Sequence, residues 1–206
     1  MVHGYHVIMP LYGFWLPNDP RGSWSDFVWK WELVRFGKAT IQLERRELCD
    51  LTPNEIHRHE AAKRSLNYPP VIWDGAQAVS IANGFSMQCK KSRYSVWACA
   101  ILPQHVHLVI ARHTYAVEQM VRLLKGAATT VLKKHGRHPL KTFAKSGRPP
   151  RPWAESHWKV FLDSEEQIET AIRYVEQNPE KEGKPRQHWK FVTPFRGLES
   201  GKITYH

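Results

Sequence analysis

Residues 94–111 read YSVWACAILPQHVHLVIA. Two β-prone runs, 94–101 and 105–111, flank a Leu102-Pro103-Gln104 break, which predicts two antiparallel strands joined by a tight connection at the centre of a sheet. His105 and His107 open the second run. Residues i and i+2 of a strand share a face, so two imidazoles could converge on one ion while Val106 points into the core. The triplet alone is a weak signal, because 12 histidines make such spacings common and His57-Arg58-His59 is a second case. Two strand histidines hydrogen-bonded to their neighbours would explain it as well.

Helical periodicity follows directly. Val117, Met120, Val121, Leu124, Ala128, Val131 and Leu132 recur at i, i+3, i+4 and i+7, an amphipathic helix that Gly136 can terminate. Residues 137–151 are rich in Lys, Arg, Pro and Gly and read as a flexible basic loop. A strand is expected over 157–162. Ser164-Glu165-Glu166-Gln167 then forms a capping box opening a helix to about residue 178, where Pro179 is expected to stop it.

Working toward the N-terminus, Asp74 can cap a helix through about residue 92, with Ala78, Ala82 and Phe85 on one face. Thr52-Pro53-Asn54-Glu55 is a second capping box with proline at the first helical position, predicting a helix over 53–66. Residues 5–9 (YHVIM) form a first strand, followed by a long aromatic loop broken by Pro10, Gly13, Pro17 and Pro20. The order is therefore an α+β, ferredoxin-like βαββαβ unit with an antiparallel sheet, an insertion after the first strand and an extra C-terminal helix. A single domain over 1–206 is expected, with 19–74 as the insertion and 180–206 as a basic C-terminal tail.

Composition narrows the partners. Hydrophobic residues at 42% supply the apolar surface that a folded domain of 206 residues needs. Thirty Lys and Arg against 19 Asp and Glu leave a formal charge of +11, which attracts polyanions, nucleic acid first. The apolar runs are too short to span a bilayer, and no signal-peptide pattern opens the chain. Cys49, Cys89 and Cys99 lack C-x-x-C spacing and suit a reducing cytoplasm.

On the last helix Tyr174 and Asn178 stand four residues apart, on one side and one turn from each other. The core stripe there is Ile168, Ala171, Ile172 and Val175, which puts Tyr174 on its flank, where a side chain can face a cleft. A half-buried packing tyrosine is the commoner explanation for such a residue taken alone.

The two motifs together, PQHVHLV at 103–109 and YVEQNP at 174–179, resemble the HUH single-tyrosine transposases, and most of all those associated with repetitive extragenic palindromes. The likeness spans residues 94–179 and includes the early Tyr5-His6-Val7 strand, while 19–74 is longer than a minimal member needs. It implies that His105 and His107 are metal ligands, Tyr174 the nucleophile and Asn178 the third ligand, with Gln177 as the competing choice. A free phenol, with a pKa near ~10, is a poor nucleophile at neutral pH. A divalent ion, Mg²⁺ or Mn²⁺, would polarise the scissile phosphate of single-stranded DNA and yield a 5′-phosphotyrosine and a free 3′-hydroxyl. Two imidazoles and an amide oxygen suit Mn²⁺ better than Mg²⁺.

The expected substrate is single-stranded DNA carrying a hairpin from a palindromic repeat, cleaved by a cytoplasmic, nucleoid-associated monomer or homodimer. Arg148, Arg151, Lys184, Arg186 and Lys190 are candidate phosphate contacts, and Trp15, Trp24, Trp153 and Trp158 candidate base-stacking platforms. Three other readings compete. One is a replication initiator or relaxase with the same chemistry, and one a non-catalytic DNA-binding protein on the same scaffold. The third is a zinc-binding structural protein using His57, His59, His135 or His138, for which no convincing four-ligand set is present.

Overall fold

The computed structural model describes residues 1–14, 16 and 52–198, the side chain of His59 excepted. Trp15, Trp24 and most of the expected insertion therefore lie outside the described residues. The chain resolves into two compact units, one built on Met1–Met9, Trp73–Pro139 and the chain from Ser156, the other on Pro10–Ile72 and Leu140–Glu155.

The first unit holds a four-stranded sheet of β1 (Gly4–Pro10), β2 (Val96–Ile101), β3 (His105–Ala111) and β4 (Trp158–Leu162), in the order β2-β3-β1-β4. β2 pairs antiparallel with β3, Ala100 opposite His107 and Ile101 opposite Val106, and the connection closes through a Leu102 N–H bond to the His105 carbonyl. β1 pairs antiparallel with β4, placing His6 opposite Val160. With α2 (Gly75–Ser92) between β1 and β2, and α3 (Val117–Lys134) between β3 and β4, this is the expected ferredoxin-like arrangement. α1 (Pro53–Arg64) precedes α2, and α4 (Glu165–Lys181) is the additional C-terminal helix.

α1, α2 and α3 follow their local signals. The expected capping box of Thr52 with Glu55 is formed, and Asp74, expected only as a cap, closes a box of its own with Gln77. The buried face of α3 is the stripe read from the sequence, Val117 through Leu132, and Gly136 follows in the left-handed region at φ +66°. On α2 the buried face is centred on Ile81 and Phe85. α2 crosses α3 closely at Gly84, where a Cβ would stand 2.5 Å from the Ala128 Cα, so only glycine fits.

α4 differs from expectation at both ends. Ser164 accepts from the Gln167 N–H, but the Gln167 carbonyl oxygen turns back to Asp163 instead of closing a box on Ser164. Pro179 does not stop the helix, which continues to Lys181 and ends before Gly183 at φ +67°. Proline at this position removes one N–H bond and sets its ring against the carbonyl one turn back, at Val175. Burial of Asn178 and Pro179, with the Lys184 N–H bonded to the Pro179 carbonyl, offsets that loss.

One face of the sheet, through Ala98, Ala100, Leu102, Val109 and Leu162, packs on Ile168, Ala171 and Val175 of α4. Burying each of the larger aliphatic side chains contributes roughly 1.5–3 kcal/mol. The described residues after α4, up to residue 198 of the expected basic tail, are pinned along the outer edge of β2. The Gln187 amide accepts from the Ile101 N–H at 2.8 Å and donates to its carbonyl at 2.9 Å. Val192 bridges Val96, and Phe195 packs on Trp97.

In the second unit Leu11 bridges Trp153, α1 buries Ala62 near Leu16, and Tyr68 packs between Tyr12 and Phe143, tilted to the first ring and edge-on to the second. Residues 137–151 are more regular than a flexible loop, containing a 3₁₀ turn at Lys141–Phe143 and a bridge between Lys145 and Arg148. Among the described residues no helix is long and apolar enough to cross a membrane.

Candidate active site

The alternation of β3 does what its sequence requires. Val106, Leu108 and Ile110 are fully buried, while His105 and His107 fall on the face shared with Val109 and α4. The two imidazoles meet edge to face with Nε2 atoms 2.9 Å apart. α4 delivers Asn178 to the same point: it is 6% exposed, and its Nδ2 lies 3.3 Å from His107 Nε2. Gln177, the competing third ligand, is exposed on the same helix. Glu182, the C-cap of α4, brings Oε1 to 3.9 Å from His105 Nε2.

One turn before Asn178, Tyr174 is 43% exposed, with its ring centroid 5.6 Å from that of His107 and 5.7 Å from that of His6. The flank position read from the helical wheel is therefore a position beside the histidine pair. An open groove of about 680 Å³ runs past the tyrosine, lined by His6, Val160, Phe161, Thr170 and Tyr174 among others. Lys181 Nζ stands 5.2 Å from the tyrosine ring centroid.

Burial holds the His107 pKa well below the usual imidazole range, and neighbouring His105 and His6 push it the same way. Burial also lowers His6 to about 4. Neutral imidazoles with free lone pairs are the form that binds cations.

The donor set fits a divalent ion. Among the described residues no three His, Cys, Asp or Glu side chains gather to hold a metal. The group here is instead two imidazoles and an amide, whose oxygen and nitrogen exchange by a half-turn. The two Nε2 atoms, 2.9 Å apart and beside the Asn178 amide, would both reach a small ion set between them. His135, considered above for a zinc site, contacts Ser80 instead.

The five basic residues named from the sequence are all exposed. Lys184, Arg186 and Lys190 belong to the unit of the histidine pair, and Arg148 and Arg151 to the other. Of the tryptophans, Trp153 is 6% exposed, a core residue unsuited to stacking on a base, and Trp158 is half-buried. Sequence reasoning passed over His6, Lys181 and Glu182. The last two follow Tyr174 at i+7 and i+8 and were within reach of helical spacing, whereas His6 joins the group only through the pairing of β1 between β3 and β4.

Comparison with known proteins places the chain in a family. The model of the IS200-like transposases matches residues 67–178, more than half of the chain and inclusive of both histidines, the tyrosine and Asn178. No curated protein sequence matches. Among solved structures, a candidate transposase from Deinococcus radiodurans R1 aligns with a TM-score of 0.44 at 13% identity, over 86% of this chain and 91% of that one. A REP-associated tyrosine transposase bound to a REP hairpin aligns with a TM-score of 0.46 at 10% identity, over 88% of this chain and 68% of that one. The chain belongs to the IS200-like transposase family, a family of enzymes that cleave DNA and transfer its strands.

Proposed function

We propose that this transposase is a metal-dependent endonuclease and strand transferase for single-stranded DNA, acting near a hairpin through a covalent 5′-phosphotyrosine at Tyr174. The observation that carries this reading is the placement of an exposed phenol, 5.6 Å ring to ring from a buried histidine whose Nε2 also faces His105 and Asn178. A phenol held beside a cation site is equipped to attack a phosphate bound there.

His105, His107 and Asn178 would hold Mn²⁺ or Mg²⁺, which when bound supplies charge for the scissile phosphate and orients it. Tyr174 Oη forms the new bond to phosphorus as the bond to the 3′ oxygen breaks. The phenolic proton passes to solvent, and the departing 3′ oxygen takes one up. One phosphodiester is exchanged for another, so a DNA 3′-hydroxyl can reverse the step without ATP. The groove beside Tyr174 gives the strand a path, and Lys181 stands where it can meet a flanking phosphate. Lys184, Arg186 and Lys190 would grip the DNA backbone from the unit of the histidine pair, and Arg148 and Arg151 would contact phosphates from their own unit.

The test is an adduct between protein and hairpin-containing single-stranded DNA that survives denaturing electrophoresis. Adduct formed with Mn²⁺, abolished by a chelator and absent in Tyr174→Phe supports the reading. An adduct unchanged in Tyr174→Phe overturns it.

A further inference from the structure

We propose that His6 is a positioning residue, which fixes the tautomer and orientation of His107 by accepting a hydrogen bond from its Nδ1–H. The inference rests on the reading of His107 as a metal ligand through Nε2.

A histidine has two ring nitrogens and, when neutral, one ring proton; the nitrogen that presents a lone pair is set by the partner of the other. His107 Nε2 faces the cation site, 2.9 Å from His105 Nε2 and 3.3 Å from the Asn178 amide. To offer a lone pair there, His107 must carry its proton on Nδ1. The group facing that Nδ1 is His6 Nε2, at 3.0 Å, and the two rings lie only 29° from parallel. His6 then keeps its own proton on Nδ1 and accepts through Nε2. In the metal-free protein, His105 Nε2–H can donate to His107 Nε2 without disturbing this assignment, so the arrangement exists before any ion arrives.

The position of His6 supports a dedicated role. β1 lies between β3 and β4, and the side chain reaches across to the neighbouring strand instead of pairing along its own. Its ring also stands edge-on to Tyr174 at 5.7 Å, so one residue touches both the ligand and the nucleophile. Outer partners of metal-binding histidines raise ligand basicity and hold ring orientation, and their removal typically costs about 10–100-fold in metal affinity. The usual partner is a carboxylate or carbonyl; here an imidazole fills the place.

The experiment uses the full chain with His6→Phe, which keeps an aromatic ring but no acceptor, and His6→Gln, which restores one. Long-range ¹⁵N–¹H spectra of the metal-free protein report the His107 tautomer, Mn²⁺ titration followed by electron paramagnetic resonance gives affinity, and thermal melting checks folding. The expected result is an Nδ1–H tautomer for His107 in the unsubstituted protein. In His6→Phe that tautomer disappears and Mn²⁺ affinity falls about 10–100-fold, with recovery in His6→Gln. An Nε2–H tautomer in the unsubstituted protein, or Mn²⁺ binding that His6→Phe leaves unchanged, overturns the role of His6 alone. Absence of Mn²⁺ binding in the unsubstituted protein overturns the metal reading and this proposal with it. Should His6→Phe fail to fold, His6→Gln decides: retention of both tautomer and affinity supports the proposal, and failure of either overturns it.

Discussion

Asn178 Nδ2 lies 3.3 Å from His107 Nε2, joining the end of α4 to β3 across one face of the sheet. Because Asn178 is fixed one turn after Tyr174, this contact registers the phenol against the histidines. Asn178→Leu should therefore weaken Mn²⁺ binding at least about tenfold, while Asn178→Asp, which keeps an oxygen donor, should retain it. Calorimetric Mn²⁺ titration of the two variants checks the difference; equal affinities would remove Asn178 from the ligand set.

The helix crossing at Gly84 has no space for a methyl group, since the nearest atoms are backbone of Ala127 and Ala128. Backbone cannot rotate away as a side chain can. Gly84→Ala is expected to destabilise the protein by about 1–3 kcal/mol despite its better helix propensity. Denaturant unfolding measures it, and a neutral or stabilising effect would contradict the close crossing.

Stability should fall in mild acid. Burial, with the nearby charge of Lys133, lowers the His138 pKa to about 4 from an ordinary 6.5. Between those values the unfolded chain binds the proton that the folded one resists, so unfolding becomes easier as pH drops from 6.5 to 4 and the effect levels off below. One such group accounts for up to about 3 kcal/mol. His138→Leu should flatten this part of the curve when unfolding free energy is followed against pH; an unchanged slope would contradict the buried neutral histidine.

Lys184 and Arg186 are exposed in the segment that follows the tyrosine helix. If they bind phosphates, replacing both with Gln should weaken DNA binding similarly for any sequence. The slope of log affinity against log salt should also become shallower by about 0.7–0.9 for each phosphate that is no longer neutralised. Fluorescence anisotropy at several salt concentrations checks this, an unaltered slope being the contrary result.

The legible parts of the fold were those set by local rules. The apolar stripe of α3, the box at Thr52 and the cap at Asp74 depend on residues three or four apart, and the structure follows them closely. The antiparallel pair around Pro103 is equally local. What escaped depended on tertiary contact. Helix α4 runs past Pro179 because buried neighbours offset a local penalty. The described part of the tail, up to residue 198, is anchored because Gln187 finds the outer edge of β2 at Ile101, a pairing 86 residues apart that no spacing announces. In the site, Tyr174 and Asn178 share a helix and the two histidines share a strand, so each pair was readable alone. His6 reaches His107 across 101 residues of chain, and only the strand order brings them together.

If the phenol of Tyr174 becomes joined to DNA, the attachment point can be read directly. Trypsin cutting after Arg173 and Lys181 releases residues 174–181, a peptide with a single tyrosine. After reaction with hairpin-bearing single-stranded DNA and Mn²⁺, nuclease trimming and mass spectrometry, the expected result is a 5′-linked nucleotide on Tyr174 within this peptide. A nucleotide found on another residue, or cleaved DNA with no nucleotide-bearing peptide, would contradict it.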